Sequence, residues 1–233
     1  NYVSPETTVA QVHPAATGED EPMTIDWLPL EVNVLNGRKK GFALHPNGFE
    51  LLNAPLEKPV DFLDTEEVID HYYPACEKLL EEKLGSGVQV YAFDHNIRVA
   101  RDSDETKDVQ LKNSGKSKAQ VPLGLVHGDY TIESSENRLN DLTSPPKVND
   151  VLQSRLGSKP LLDAGEVAKR QRFALINIWR SIDPNNAVQS YPLACVDAQT
   201  PHTRDLRTLK IHYADRVGQN YLVTRPEIRE FIA

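Results

Sequence analysis

Helical periodicity is confined to one stretch of this chain, and that confinement decides the fold class. Across residues 65–84, Val68, Ile69, Tyr72, Cys76, Leu79, Leu80 and Leu84 recur at helical spacing after an acidic start at Glu66 and Glu67. Pro74 is expected to kink this run or to start a second helix, and Gly85 to end it. The other apolar runs are short, rich in β-branched and aromatic residues, and bounded by Gly, Pro, Asn or Asp. Residues 30–35 alternate apolar and polar and lead into Asn36-Gly37, a hairpin signal. Residues 41–44 read as the returning strand, 45–48 as a second turn and 49–52 as a third strand. Residues 88–93, 123–131, 172–180, 192–197 and 218–223 follow as strands, with 172–180 the strongest core candidate, and 150–158 as a short helix. The expected class is mainly β with flanking helices, an α+β arrangement.

Polar segments divide these elements. Residues 1–24 lack periodicity and are rich in Pro, Thr, Ala and acids, so they are expected to form an arm outside the core. Residues 101–120 are almost wholly polar and read as a long exposed loop. Residues 133–149 are polar and Pro-rich, and 200–216 read as a polar connector. Residues 25–233 are then one domain, and 39% hydrophobic residues in 233 suffice for its core. A formal charge of −8 argues against a nucleic-acid partner, and no apolar run has membrane-spanning length. Cys76 and Cys195 form neither a disulfide framework nor a zinc pattern, which fits a cytoplasmic setting. The sequence starts at Asn1 and stops at Ala233 without a polar tail, and both ends read as cut.

The informative tripeptide is His127-Gly128-Asp129. Residues i and i+2 of a strand point to one face, so an imidazole and a carboxylate would converge there. Two arms of a 2-His-1-carboxylate site need that arrangement; such a triad leaves positions on Fe(II) open. Taken alone the tripeptide is weak, because a histidine and an aspartate at a strand end arise often by chance.

Its surroundings add weight. H-P-N-G-F-E-L-L (45–52), Y-Y-P (72–74), Y-A-F-D-H-N-I-R (91–98), V-H-G-D-Y-T (126–131), R-F-A-L-I-N-I-W-R (172–180) and P-L-A-C-V-D-A-Q-T (192–200) occur in that order. Together they resemble the cephamycin-methoxylase (CmcJ-like) and gibberellin-desaturase-like family of Fe(II)/2-oxoglutarate-dependent oxygenases, over about residues 30–225. The resemblance implies a double-stranded β-helix (jelly-roll) core, Fe(II), 2-oxoglutarate as co-substrate, O2, and hydroxylation or desaturation of a small secondary metabolite. It places His127 and Asp129 at the family's metal position. It also implies later blocks and a distal histidine after residues 220–223, so the third ligand is expected beyond Ala233, the core is expected to be incomplete at its C-terminus, and the fragment is expected to be inactive. His212, followed by Arg225, is an outside candidate for that ligand; it and His202 fall in the polar connector, where a solvated histidine is the ordinary outcome.

Further pocket candidates carry competing readings. His95 and Arg98 line a pocket or belong to a buried ion pair with Asp94. Tyr130 lines the substrate pocket or packs in the core. Asn177 needs a buried partner or a ligand. Arg180 clamps a carboxylate or caps the strand in a salt bridge. A reading of another class also stands, in which a non-catalytic jelly-roll homologue or fragment binds a ligand or partner without turnover. Substrate and oligomeric state are not encoded in any motif here.

Overall fold

The computed structural model describes residues 1–4, 6–7, 10–12, 25, 27–99, 109–113, 119–144, 171–200, 203–212, 217–224 and 230–233. Its elements are β1 (Tyr2–Val3), β2 (Ala10–Val12), β3 (Trp27–Leu28), β4 (Asn33–Leu35), α1 (Leu44–Asn47), α2 (Thr65–Glu67), α3 (Tyr73–Leu84), β5 (His127–Gly128), α4 (Ile132–Leu142), β6 (Leu206–His212), β7 (Val217–Val223) and β8 (Glu230–Ile232). The chain divides into two compact units, one of residues 1–52, 123–137 and 192–233, the other of residues 53–122 and 138–191.

The first unit is built on a four-stranded sheet in the order β2-β6-β7-β5. β6 and β7 pair antiparallel over seven residues, from Leu206↔Val223 to His212↔Val217. β5 adds on the other edge of β7, with His127 opposite Leu222 and Gly128 opposite Tyr221. Directly opposed residues in an antiparallel ladder share a face, so Arg207, Leu222 and His127 form one row on one face. Leu209, Leu222, Val3 and Ile25 are buried together on that side, with Trp27, Leu125 and Ile211 against them. The other face carries Leu206 and Val223, packed with Tyr2, Phe231, Leu28, Leu30, Val126 and Val196. Among the described residues the strands do not close into a barrel.

At residues 2–3 and 10–12 the chain departs from the arm outside the core expected for 1–24, and residues 13–24 lie outside the described residues. Tyr2 and Val3 are each 1% exposed. They pair with Leu28 and Trp27 and, as neighbours on a strand, point to the two opposite clusters. Residues 10–12 pair in parallel with 209–211 of β6. Two adjacent apolar residues are enough for a strand buried on both faces, and a search for longer periodicity passes over them. The polar connector is corrected for a related reason. Residues 206–212 form β6, whose Leu209 is 4% exposed while Thr208 and Lys210 face outward.

Asn36-Gly37 does not make a hairpin. Asn36 caps a short 3-10 turn, its Oδ1 accepting from Arg38 N, and β4 instead pairs in parallel with β8. A Cβ on Gly37 would lie 2.6 Å from Ile232 Cγ2, so this glycine permits the close approach of the β8 segment. Residues 41–44 and 49–52 carry no strand; 44–47 form the single turn α1, closed by Gly48 at φ 80°.

The second unit contains the expected helix with its expected limits. Asp64 Oδ1 accepts from Glu66 N to cap α2, a π-helical turn spans Val68–Tyr72, Pro74 sits in the first turn of α3, and Gly85 ends the run at φ 90°. Thr65, Val68 and Tyr73 are its buried residues, at 6%, 1% and 4%. Part of the 101–120 segment is fastened to this helix start: Lys112 Nζ donates to Asp61 Oδ2 at 2.7 Å and Asn113 Nδ2 to Asp64 Oδ1 at 2.9 Å. Ala119 is buried, which departs from a wholly exposed loop; residues 101–108 and 114–118 lie outside the described residues.

Two expected strands of this unit are not laddered among the described residues. In 88–93 the amide of Ala92 donates instead to Glu77 Oε1 on α3 at 2.8 Å. In 172–180 Phe173 and Trp179 are 38% and 50% exposed, and Ile176, Ile178 and Arg180 are the better covered side. High β-propensity describes fit to a pleated, half-buried surface and does not by itself supply a partner strand. The expected helix at 150–158 lies outside the described residues, whereas α4 (Ile132–Leu142) forms within sequence read as polar loop.

Leu222 is 0% exposed at the centre of the β5–β7–β6 row. We predict that Leu222→Ala lowers the unfolding free energy by about 2–5 kcal/mol, the range for truncating a fully buried leucine. Urea denaturation measures it, and a loss below 1 kcal/mol would contradict this placement of the core.

Candidate functional site

β5 ends one residue before Asp129, where the chain bends out of the ladder. The ladder fixes His127 on the inner face beside Leu222, and the bend brings Asp129 back toward it. His127 Nε2 lies 3.2 Å from Asp129 Oδ1, with the imidazole 21% and the carboxylate 46% exposed. On the other side of the ring, His127 Nδ1 lies 3.2 Å from the Leu125 carbonyl oxygen. A carbonyl can only accept, so Nδ1 carries the hydrogen, and Nε2 meets the carboxylate with either a second proton or a cation between them. A histidine held by its second nitrogen on a backbone carbonyl is the usual orientation of a metal ligand. The donor pair, one imidazole nitrogen and one carboxylate oxygen, fits a divalent first-row metal. Among the described residues no third His, Cys, Asp or Glu joins the pair.

The turn that carries Asp129 is anchored by α4 and β7. Thr131 Oγ1 accepts from Ser134 N at 3.0 Å while Ser134 Oγ accepts from Thr131 N at 2.9 Å, a reciprocal cap at the start of α4. Both residues are buried, and they reach β7: Thr131 Oγ1 donates to Gln219 Oε1 at 3.0 Å, and Ser134 Oγ to the Gln219 carbonyl at 2.8 Å. The Asn220 amide is assigned with its nitrogen toward the turn, the orientation in which both of its ends find partners, and so donates to the Asp129 carbonyl oxygen at 2.8 Å. None of these anchoring residues stands out from sequence reasoning; the T-x-x-S spacing of Thr131 and Ser134 is the one signal that could have marked the helix start. Arg207 was missed with β6 itself. It is half-buried in the same row as His127, its Nη1 donating to the carbonyls of Arg204 and Leu206 at 3.0 Å.

His212 is not brought to this pair. It lies opposite Val217, five residues along β7 from the row of His127, which is about 17 Å at strand rise. It also sits an odd number of residues from Arg207 and so on the opposite face. His202 lies outside the described residues. Tyr130 follows Asp129 and is half-buried.

The remaining candidates fall in the second unit. His95 Nδ1 lies 2.9 Å from the hydroxyl of Tyr73, with the rings edge-on. Burial pushes the Tyr73 hydroxyl far above its ordinary range, and burial lowers His95 despite the opposing charge of Asp94. Tyr73 therefore keeps its proton and donates, leaving His95 neutral with its hydrogen on Nε2. Arg98 Nη1 donates to the Val121 carbonyl at 2.8 Å rather than joining an ion pair with Asp94, which meets Arg138 at 3.8 Å. Arg180 Nη2 donates to the Ala54 carbonyl at 3.0 Å and its guanidinium lies 5.7 Å from the Tyr72 ring centre. Burial raises the Tyr72 hydroxyl and the Cys76 thiol beside it. Asn177 is exposed, not buried.

The family model described as "Oxidoreductase/YMDC permease-like domain" matches residues 1–232; among the described residues no helix is long and apolar enough to cross a membrane. An uncharacterized protein in the dcmA 3'region of Methylophilus leisingeri (strain DSM 6813 / VKM B-2013 / DM11) is 39% identical over 161 residues, 66% of this chain and 72% of its own length. The alpha-ketoglutarate-dependent dioxygenase phiK of Fungal sp. (strain ATCC 74256) is 26% identical over 185 residues, 79% of this chain and 56% of its own length. Among solved structures, the iron and alpha-ketoglutarate-dependent endoperoxidase NvfI matches 99% of this chain and 76% of its own, with a TM-score of 0.65 at 17% identity, and so shares the fold.

His95 gives this region a pH signature. Its folded pKa is below the unfolded value of about 6.5, so the unfolded chain binds the extra proton first. The sign follows from linkage: stability is whole above the unfolded pKa and falls as pH drops through it toward the folded one. We predict a lower urea midpoint at pH 5 than at pH 7, with a smaller difference in His95→Gln. Equal differences in both proteins would refute the buried neutral state.

Proposed function

The chain belongs to the family described as the oxidoreductase/YMDC permease-like domain, and on that premise we propose that it carries the iron-binding face of an Fe(II)/2-oxoglutarate-dependent oxygenase. The observation that carries this reading is the convergence of His127 Nε2 and Asp129 Oδ1 at 3.2 Å, with His127 Nδ1 committed to a backbone carbonyl. The fold shared with the endoperoxidase and the similarity to the fungal dioxygenase support it. The finer proposal is a jelly-roll hydroxylase or desaturase of the cephamycin-methoxylase and gibberellin-desaturase-like type, taking O2 and a small secondary metabolite in the cytoplasm.

Bound Fe(II), with 2-oxoglutarate and O2, would supply the oxidising chemistry that removes a hydrogen from the substrate. The protein's part is to hold, orient and exclude water. His127 and Asp129 supply two of three ligands, and the Leu125 carbonyl keeps the His127 lone pair on Nε2. We assign to Arg207 the cationic partner of the co-substrate's carboxylate. It shares the row of His127 across two ladder spacings, about 10 Å, and the Arg204 and Leu206 carbonyls fix the direction of its guanidinium. Leu209, Leu222 and Ile211 close the floor of that face against water. We assign Tyr130, half-buried and next to Asp129, to the border of the substrate pocket. The second reading, a homologue that binds without turnover, is favoured by one observation, that no third ligand accompanies the pair among the described residues.

Anaerobic Fe(II) titration and 2-oxoglutarate decarboxylation test both readings. We expect Asp129→Ala and His127→Ala to abolish saturable Fe(II) binding, and His212→Ala to leave its Kd within about twofold, since that side chain lies beyond ligand distance on the other face. Iron binding that survives Asp129→Ala would sink the metal reading. Iron binding without any oxoglutarate consumption would favour the second one.

A further inference from the structure

We infer that Asn220 is a positioning residue for the carboxylate arm of the metal pair, an inference that rests on the reading of His127 and Asp129 as ligands. The β5–β7 ladder runs through Gly128↔Tyr221 and stops. The next pair in register would be Asp129 with Asn220. The bond from Val223 N to the Val126 carbonyl makes 126/223 and 128/221 the hydrogen-bonded pairs, so Asp129 and Asn220 fall at a non-hydrogen-bonded position where no β7 amide reaches the Asp129 carbonyl. The chain bends there. With its amide oriented so that both its oxygen and its nitrogen find partners, the Asn220 side chain donates to the Asp129 carbonyl at 2.8 Å and holds the bend in the position that brings Asp129 Oδ1 to His127 Nε2.

The adjacent residue on β7 closes the other end of the same turn. Gln219 accepts from Thr131 Oγ1 and Ser134 Oγ through its side chain and its carbonyl. Consecutive β7 residues thus hold residues 129–134 at both ends, and the strand that pairs with His127 also orients Asp129. Of the two anchors, the Gln219 end fastens α4, while Asn220 alone bonds to the ligand residue itself. Its loss should therefore loosen the carboxylate and leave the helix anchored.

The test compares wild type, Asn220→Ala and the isosteric Asn220→Asp, which keeps the shape but replaces the donor. Three measurements are made on the full chain: Co(II) affinity by calorimetry, thermal unfolding of the metal-free protein, and the metal-free crystal structure. We expect both variants to bind Co(II) about 10–100-fold more weakly, the usual loss for a partner that orients a ligand. Their metal-free unfolding should stay a single transition. Their crystal structures should show the His127–Asp129 contact opened. A merely structural role would lower the unfolding temperature while folded molecules kept their affinity and the contact. Variants that keep the 3.2 Å contact overturn the inference whether or not metal binds. Wild type that fails to bind Co(II) through His127 and Asp129 overturns the metal reading alone, and the crystallographic contact still decides the role of Asn220.

Discussion

The register of β7 between β5 and β6 is the constraint on which the candidate site depends. Leu222 lies in the middle of the row Arg207–Leu222–His127 with no exposed surface. Strand side chains alternate, so a slip of β7 by one residue would take Leu222 out of its cluster toward the opposite one and Val223 the other way, and would break the row that Leu222 forms with Arg207 and His127. Burial of these two residues on opposite faces therefore favours the register in which His127 stands beside Leu222.

The beginning of the chain contributes directly to that register. The Asn1 carbonyl accepts from Val126 N at 3.0 Å, and the Val126 carbonyl accepts from Val223 N at 3.3 Å. Residues 1–3 thus line up the segment leading into His127 from one side, while β7 pairs with it from the other. β5 is only two residues long, and so short a strand cannot hold its own register by backbone bonds alone. Its neighbours supply what its length lacks: the N-terminal strand before it and the Thr131–Ser134 cap after it.

Local chemistry was legible in the sequence and partnership was not. The helix of residues 65–84 could be read to its limits because its cap, its proline and its closing glycine all act within a few residues of one another. The proximity of His127 and Asp129 was legible only as a spacing, since β5 ends at Gly128 and a bend, not strand alternation, brings the two side chains together. Strand identity depends on a partner that may lie a hundred residues away, as with β2 and β6 or β4 and β8, and no local pattern reports it. Hence Arg172–Arg180, with the best strand composition in the chain, lies outside any ladder among the described residues, while residues 206–212, with Arg, Lys and His interspersed, form the centre of a sheet. The side chains that orient the candidate ligands were hidden too. Asn220 and Gln219 are ordinary polar strand residues until the fold sets them against the turn at Asp129.

The same alternation limits where a third donor can come from. On the face that carries His127, β6 presents Arg207, Leu209 and Ile211, and β7 presents Gly218, Asn220 and Leu222. None of these is a histidine, cysteine or carboxylate. Asp205, one residue before β6, is buried, but it lies two strand spacings across and one row away from His127, about 12 Å between Cα atoms by ladder geometry. Its carboxylate does not join the pair in a group of three among the described residues. Among the described residues of β6 and β7, then, none adds a third donor to the His127–Asp129 pair.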